Sequence, residues 1–467
     1  MRVMKFGVVS VSDAARLREM AQIVRAAHND GEALVVVCAA ISGVTDKLIN
    51  AARSAALGRE AVVEDARREL WGRHRALAEK LVSDEWEREA LYREWAELLK
   101  VFDRYTRSIA TLGEHSPRSI DTVAALGERF VTHLVATALR HAGVSARTVD
   151  AAELIVTDSH YGAAWPFAEE SSERIRARLR ALLQARIVPV ITGYIGATRE
   201  GKVTTLGRGG GDYSATLIGA ALDADEVCIW TDVDGILTAD PKIVPEARTL
   251  AELSYAEAGD IATFGPEILH PRTLTPLAEK NIPLSIRNVL RPSHPGTRVL
   301  AEARPSNHAV HTIISARGLS LLGVAAPATG AAGWSPELAA RALARLAASG
   351  VEILNFAQSF SERSLTVTVR AVDAAFARDG LVAAFSGEQG VERVRDISFS
   401  TPIGLVALIS ATSNSQLAPQ TLATLGRVGA HVLALARGTT SAHLSFVLPD
   451  SEVDAVVQAL HHDLKLA

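Results

Sequence analysis

Cysteine is nearly missing from this chain. Only Cys38 and Cys228 occur in 467 residues, and each lies in an apolar, strand-like run, Val-Val-Val-Cys-Ala-Ala and Val-Cys-Ile-Trp. Two isolated thiols of this kind read as buried free cysteines in preference to a disulfide or metal pair. Long apolar runs are missing too. The longest covers residues 33–41, well short of the ~20 residues that a membrane-spanning helix needs. Charge of one sign is not in excess: 49 basic against 53 acidic residues leave a net charge of −4, which favours neither a nucleic-acid tract nor an anionic lipid surface. The N-terminal Met1-Arg2-Val3-Met4-Lys5 lacks the apolar stretch and small-residue cleavage site of a secretory signal, so the expected compartment is the cytoplasm.

What is present is ordinary for a folded protein. A hydrophobic fraction of 48%, a charged fraction of 22%, and 33 Gly beside 17 Pro exclude disorder, collagen-like structure and simple coiled coil. The length allows two to four domains at roughly 150 residues each. Strand-like and helix-like runs alternate from the start: residues 2–9, a helix over 13–28, then the apolar strand 33–40. This βαβ pattern predicts an α/β fold with a mostly parallel sheet sandwiched by helices. A charged stretch over about 47–115 carries Trp71, Leu81, Trp86, Leu91, Trp95 and Leu98 at helical spacing and reads as a helical insertion packed on the sheet. Strands are then expected at 146–149, 188–192, 203–206, 226–231 and 283–288, closing a first domain over 1–300.

Beyond a polar stretch at 303–307 the pattern changes. Strands at 311–324, 351–356 and 364–369 with helices at 336–348 and 373–385 form one small unit. The order recurs in strands 404–409, 431–435 and 442–447 with helices 416–425 and 452–464. This internal repeat of about 70 residues predicts two ferredoxin-like βαββαβ modules, 309–390 and 400–467, with a regulatory or dimerising role.

Five segments could carry chemistry. Lys5-Phe6-Gly7 closes the first strand, where a lysine can reach phosphate as a point charge. Lysine is rare here, 8 residues against 41 arginines, which raises the interest of Lys5. The richest segment is Thr204-Thr205-Leu206-Gly207-Arg208-Gly209-Gly210-Gly211-Asp212-Tyr213-Ser214. A strand enters a four-glycine loop holding Arg208, and Asp212 is placed to cap the following helix. Such a loop offers backbone N–H groups to phosphoryl oxygens, and an arginine there grips a carboxylate or phosphate through two bonds. A flexible surface turn is the bland alternative. At Thr231-Asp232-Val233-Asp234-Gly235 a strand ends in polar residues at the sheet's carboxyl edge, where Asp232 and Asp234 could meet ribose hydroxyls or a nucleotide-bound magnesium; Asp234-Gly235 reads equally well as a turn. Ser42-Gly43-Val44-Thr45 and Gly127-Glu128-Arg129 could together hold the amino end of a small zwitterion.

Together these segments, with Leu269-His270-Pro271-Arg272, occur in the order seen in aspartate kinases, and the tail is similar to their paired ACT domains. The chain most resembles the kinase portion of the bifunctional aspartokinase–homoserine dehydrogenases, although no dehydrogenase is expected within 467 residues. The resemblance implies an amino-acid-kinase fold that transfers the γ-phosphoryl of ATP, carried with Mg2+, to the side-chain carboxylate of L-aspartate. That is the first step towards lysine, threonine and methionine. No other metal is implied. By position, Lys5, Arg208 and Asp212 would be catalytic. Thr45, Glu128, Arg208 and Tyr161 would bind substrate, with Tyr161 standing where the family has Phe. Lys5, Gly7, Ser10, Gly209, Gly210, Thr231, Asp232, Asp240 and Lys242 would hold the nucleotide. Asn355, Gln358 and Ser359 would read an amino-acid effector in modules that pair as a homodimer, and Gln358-Ser359 is more like a threonine-responsive than a lysine-responsive enzyme.

Several residues depart from the family pattern. Val8 and Val9 stand for Gly-Thr after Lys-Phe-Gly, Ala39 and Ala125 replace serines, and Gly211 replaces the serine of Arg-Gly-Gly-Ser-Asp. A valine at position 8 is expected to crowd a phosphate or strain the loop. Leu237 and Lys242 replace a usual aromatic and a usual arginine, and Glu267 reverses a charge that in the family meets ATP phosphates. Lost hydroxyl donors cost about 0.5–1.5 kcal/mol each. These departures leave two alternatives open: a kinase repurposed for another small carboxylate, and a catalytically impaired regulatory paralogue.

Overall fold

The computed structural model describes residues 1–265, 269–303, 310–325, 336–359, 361, 364–385, 396–410, 416–437 and 443–466. The chain divides into two units. The first comprises Met1–Ile236, Ala251–Tyr255 and Leu269–Ala303; the second comprises Leu237–Leu250, Ala256–Ile268 and Arg304–Ala467.

The chain opens with β1 (Arg2–Phe6), α1 (Ala14–Asn29) and β2 (Leu34–Cys38), and continues through α2 (Val44–Ala56), α3 (Glu60–Leu81), α4 (Glu85–Leu112), α5 (Pro117–Ala124) and α6 (Leu126–His141). It then runs through β3 (Ala146–Val149), β4 (Val156–Thr157), α7 (Ala168–Gln184), β5 (Val188–Thr192), β6 (Ile195–Thr198), β7 (Val203–Thr205), α8 (Gly210–Ala221) and β8 (Glu226–Thr231). The set closes with β9 (Glu252–Ser254), α9 (Tyr255–Phe264), α10 (Pro271–Ala278), β10 (Leu284–Asn288) and β11 (Thr297–Leu300).

Eight strands form one sheet in the order β3-β5-β2-β1-β8-β10-β11-β9. Every neighbouring pair is parallel except β10 with β11. The middle strands are apolar on both faces because helices cover both: β2 is buried along its whole length, as expected for a parallel sheet between helix layers. The strand expected at 203–206 does not join this sheet. β7 pairs with β6 in a separate three-stranded sheet, β4-β6-β7.

The insertion is three helices. Leu57 caps the end of α2, the next turn passes through left-handed Gly58 (φ 67°), and Asp84 starts α4 by accepting from the Glu87 N–H at 2.9 Å. Trp71, His74, Tyr92, Trp95 and Phe130 pack as one aromatic cluster. Trp95 is fully buried and its indole donates to the Phe130 carbonyl at 3.0 Å. The insertion thereby grips the first turns of α6. Trp86, expected on the same stripe, is instead 84% exposed, because it lies at the second residue of α4, before the helix meets its neighbours.

The second unit carries β12 (Thr312–Ala325), α11 (Pro336–Ala348), β13 (Asn355–Ser359), β14 (Ser364–Arg370), α12 (Ala371–Phe385), β15 (Asp396–Ile409), α13 (Leu417–Val428), β16 (Ala434–Arg437), β17 (His443–Pro449) and α14 (Val453–Asp463). Its six strands form one antiparallel sheet, β13-β14-β12-β15-β17-β16. The expected strand at 404–409 begins eight residues earlier, at Asp396, and the reason is strand sharing. The later half of β12 pairs with β14 and with the earlier half of β15, whereas Thr312–Ala316 pairs with Leu405–Ile409. Each βαββα repeat thus completes its four-stranded sheet with half of a strand from the other. The strands expected at 351–356 and 431–435 lie further on, at β13 and β16, where the backbone first pairs.

Candidate active site

In an open parallel sheet the strand carboxyl ends face the crevice where ligands bind. Lys5 stands at that end of β1, and its ammonium pairs with Asp212 Oδ1 at 2.6 Å, both side chains being largely buried. Asp212 is therefore not the helix cap that its spacing suggested. Gly209 occupies the cap position of α8 in a left-handed conformation (φ 70°), and Asp212 lies in the first turn. A side chain at Gly209 would be strained, and its Cβ would approach His270 Cβ to 2.6 Å. Arg208 is exposed in the loop between β7 and α8, and no ion pair holds it among the described residues. The 12-residue helix α8 directs its free N–H groups at the same loop, an arrangement that suits an anion.

Glu128 lies in the first turn of α6 and is 4% exposed. Burial pushes its carboxyl up to about 8, against a weaker lowering by backbone N–H groups that include Ala40. Its Oε2 has no hydrogen-bond partner among the described residues. An interior carboxylate that lacks a cation is costly. Thr45, at the start of α2, is brought beside it because the preceding residue is glycine: a Cβ at Gly127 would lie 3.0 Å from Ala40 Cβ and 3.5 Å from Thr45 Oγ1.

Two residues, Tyr194 and Asp121, escape sequence reading. Tyr194 is a non-glycine residue at φ 69°, a strained conformation of the kind that concentrates at functional sites. Its N–H donates to Ser214 Oγ at 3.0 Å, and its hydroxyl contacts the Thr205 side chain, with burial raising its pKa. Asp121 is buried against Thr205 as well. Tyr161 is half-exposed on the loop 158–166. None of these contacts has a local signal, since each joins residues distant in sequence.

The remaining residues separate. Gly7 caps a 3-10 turn over Val8–Val11; Val8 does not adopt a left-handed backbone, and it is 42% exposed. Ser10 belongs to that turn and is fully buried. Thr231 Oγ1 donates to Asp232 Oδ1 at 3.2 Å at the end of β8. Asp234 is a structural turn residue, taken up by Asn288 Nδ2 at 2.7 Å and by Arg291. Asp240 and Lys242 are exposed and belong to the second unit. Glu267 lies outside the described residues. On β13, Asn355 and Ser359 share one face and Gln358 the other.

Residues 1–288 match the family model described as the amino acid kinase family. The chain belongs to that family. This amino acid kinase is 27% identical over 99% of its length to a bifunctional aspartokinase/homoserine dehydrogenase of Haemophilus influenzae, of which it covers 56%. It thus spans about half the length of the bifunctional relatives it matches. It is 30% identical to aspartokinase 2, chloroplastic, of Arabidopsis thaliana, covering 98% of this chain and 83% of that one. Its fold matches Escherichia coli aspartokinase III, solved in complex with aspartate and ADP, with a TM-score of 0.82, 27% identity and 100% coverage of both chains. The kinase thus sits on the aspartokinase branch. Among its described residues no helix is long and apolar enough to cross a membrane.

Proposed function

We propose that this kinase phosphorylates the side-chain carboxylate of L-aspartate at the expense of ATP, giving 4-phospho-L-aspartate. The observation that carries the reading is Glu128, an interior carboxylate with an oxygen that has no partner among the described residues, beside the Thr45 hydroxyl, together with Arg208 exposed in the glycine loop before α8. A zwitterionic acid satisfies all three: its ammonium would neutralise Glu128, its α-carboxylate would meet Thr45, and Arg208 would clamp a carboxylate through two bonds.

The donor set fits a nucleotide triphosphate. Left-handed Gly207 and Gly209 open the loop backbone, α8 presents free N–H groups, and the Lys5 ammonium stands beside them. Bound ATP with Mg2+ would supply the transferable phosphoryl group. Gly209, Gly210 and Lys5 would meet its phosphates, Gly7 would allow close approach, and Thr231 and Asp232 are the proposed further contacts; Ser10, buried within its own turn, would need that turn to move. Lys5 would neutralise charge on the group in flight, and Asp212 would hold that ammonium in place, which is how phosphoryl transfer is assisted. At Gly211 a Cβ would sit 3.5 Å from Lys5 Cε, an ordinary contact, so the missing serine changes hydrogen bonding without changing shape.

The C-terminal modules are proposed to bind an end-product amino acid and to pair as a dimer. The test of the activity is ATP-dependent acyl-phosphate formation trapped by hydroxylamine, with L-aspartate beside glutamate and other small acids. Turnover with aspartate is expected. Silence with aspartate in a folded protein, or turnover with another acid alone, rejects the reading.

A further inference from the structure

Asp121, on α5, belongs to none of the motifs given a role above. It is 2% exposed, and its carboxylate accepts three hydrogen bonds of 2.9 Å: Oδ2 takes the Gly162 and Thr205 N–H groups, and Oδ1 takes the Thr205 hydroxyl. Gly162 follows Tyr161, and Thr205 comes three residues before Arg208. The same two segments meet again nearby. The Ala164 N–H donates to the Thr205 carbonyl at 2.9 Å, and a Cβ on Gly207 would come within 3.2 Å of the Gly162 carbonyl oxygen and 3.3 Å of Ala163 Cα. On its other side α5 runs into α6 through Ala125, which ends one helix and begins the other. One carboxylate therefore fastens together the corner that leads to Glu128, the loop of Tyr161 and the strand that delivers Arg208.

We propose that Asp121 is the positioning residue that fixes the spacing between the Tyr161 loop and Arg208, and with it the length of acid the site accepts. This rests on the kinase reading above. A carboxylate suits the place because it only accepts, and three donors converge there. Asparagine can imitate it, with its oxygen on the two backbone N–H groups and its amide donating to Thr205 Oγ1. Alanine leaves all three donors unmet, and the loop is then free to shift. A displacement near 1 Å costs up to about a hundredfold in rate.

The test is hydroxylamine-trapped turnover with aspartate and with glutamate, one methylene longer, at varied ATP, in the wild type, Asp121→Asn and Asp121→Ala. Amide exchange is followed alongside. Asp121→Ala is expected to raise the aspartate KM about tenfold or more, to narrow the preference for aspartate over glutamate, and to leave the ATP KM within about twofold. Asp121→Asn should keep the preference. Parallel shifts in both substrates, or an unchanged preference in Asp121→Ala, overturn the proposal. If the alanine variant does not fold, Asp121→Ser, polar but too short to bridge, takes its place with the same expectations. Should the wild type phosphorylate no acid, the kinase reading fails by itself, and exchange decides on Asp121. Lost protection confined to residues 158–166 and 203–208 supports the tether, whereas unchanged protection there overturns it.

Discussion

Asp121 and Glu128 stand at the two arms of one helical corner, both buried, and the chain treats them in opposite ways. Asp121 receives three well-placed donors; Glu128 keeps an oxygen with no partner among the described residues. Burial raises the pKa of both; at Asp121 the Gly162 and Thr205 donors oppose the rise, and at Glu128 the carboxyl is pushed up to about 8. A satisfied interior carboxylate builds structure, whereas an unsatisfied one marks where a ligand belongs. The Lys5–Asp212 pair lies between these cases, satisfied at rest by a single contact that a phosphate can share.

The sharpest break in that comparison is at Lys5. Lys5→Met leaves Asp212 without its cation and the transferring group without its neutralising charge, so kcat should fall by about 10²–10³. The check is single-turnover acyl-phosphate formation at saturating ATP. Glu128→Gln comes next. Losing a charged hydrogen bond of about 1.5–3 kcal/mol should raise the aspartate KM roughly ten- to a hundredfold, with the ATP KM nearly unmoved.

The same variant has a pH signature with a fixed sign. The Glu128 carboxyl, raised from 4.5 to about 8 in the fold, binds its proton more tightly folded than unfolded. Its contribution to stability is therefore full below the unfolded value and declines as pH rises from 4.5 to about 8. Glu128→Gln removes that decline and should be more stable than the wild type at pH 9 by a few kcal/mol, roughly. Urea unfolding of both proteins at pH 5, 7 and 9 measures it; parallel curves would mean that Glu128 ionises freely and is not the unpaired group it is taken to be.

The second unit offers a milder version of the contrast. Asn355 is 7% exposed on β13, donates to Ser445 Oγ at 3.4 Å, and leaves its Oδ1 without a partner among the described residues. Asn355→Leu should stabilise the free protein by about 1 kcal/mol, since it removes an unpaired buried acceptor. It should also abolish any thermal shift produced by threonine, lysine or methionine if Asn355 reads the effector. Unfolding curves with and without the three amino acids decide both points.

How far the sequence could be read follows from the range of each contact. Alternating strands and helices, and the order of Lys5, Thr45, Glu128, Arg208 and Asp212, are local and were legible. The parallel sheet and the repeated tail followed from them. The rest depends on partners far away in the chain. Asp212 resembles a cap until Lys5, 207 residues earlier by number, is seen to hold it. The left-handed backbone of Tyr194 has no glycine to announce it, and Asp121 meets Thr205 across 84 residues. The early start of β15 reflects pairing with β12, which periodicity within one strand cannot reveal.

The smallest expected effect tests the residue most readily blamed for a weak site. Gly211 lies within α8 with helical backbone, and the space at its Cβ is open to ordinary contact with Lys5 Cε at 3.5 Å. Glycine inside a helix is about 0.5 kcal/mol worse than serine. Gly211→Ser should therefore raise stability by a few tenths of a kcal/mol, read as a small rise in Tm. Its hydroxyl would stand beside the Lys5–Asp212 pair rather than beside Glu128, so it bears on phosphoryl transfer and not on recognition of the acid. A rise in kcat with the aspartate KM unchanged would mean that the lost hydroxyl limits the chemical step. A shift in that KM would show that the two halves of the site are not separable as the contrast between Asp121 and Glu128 implies.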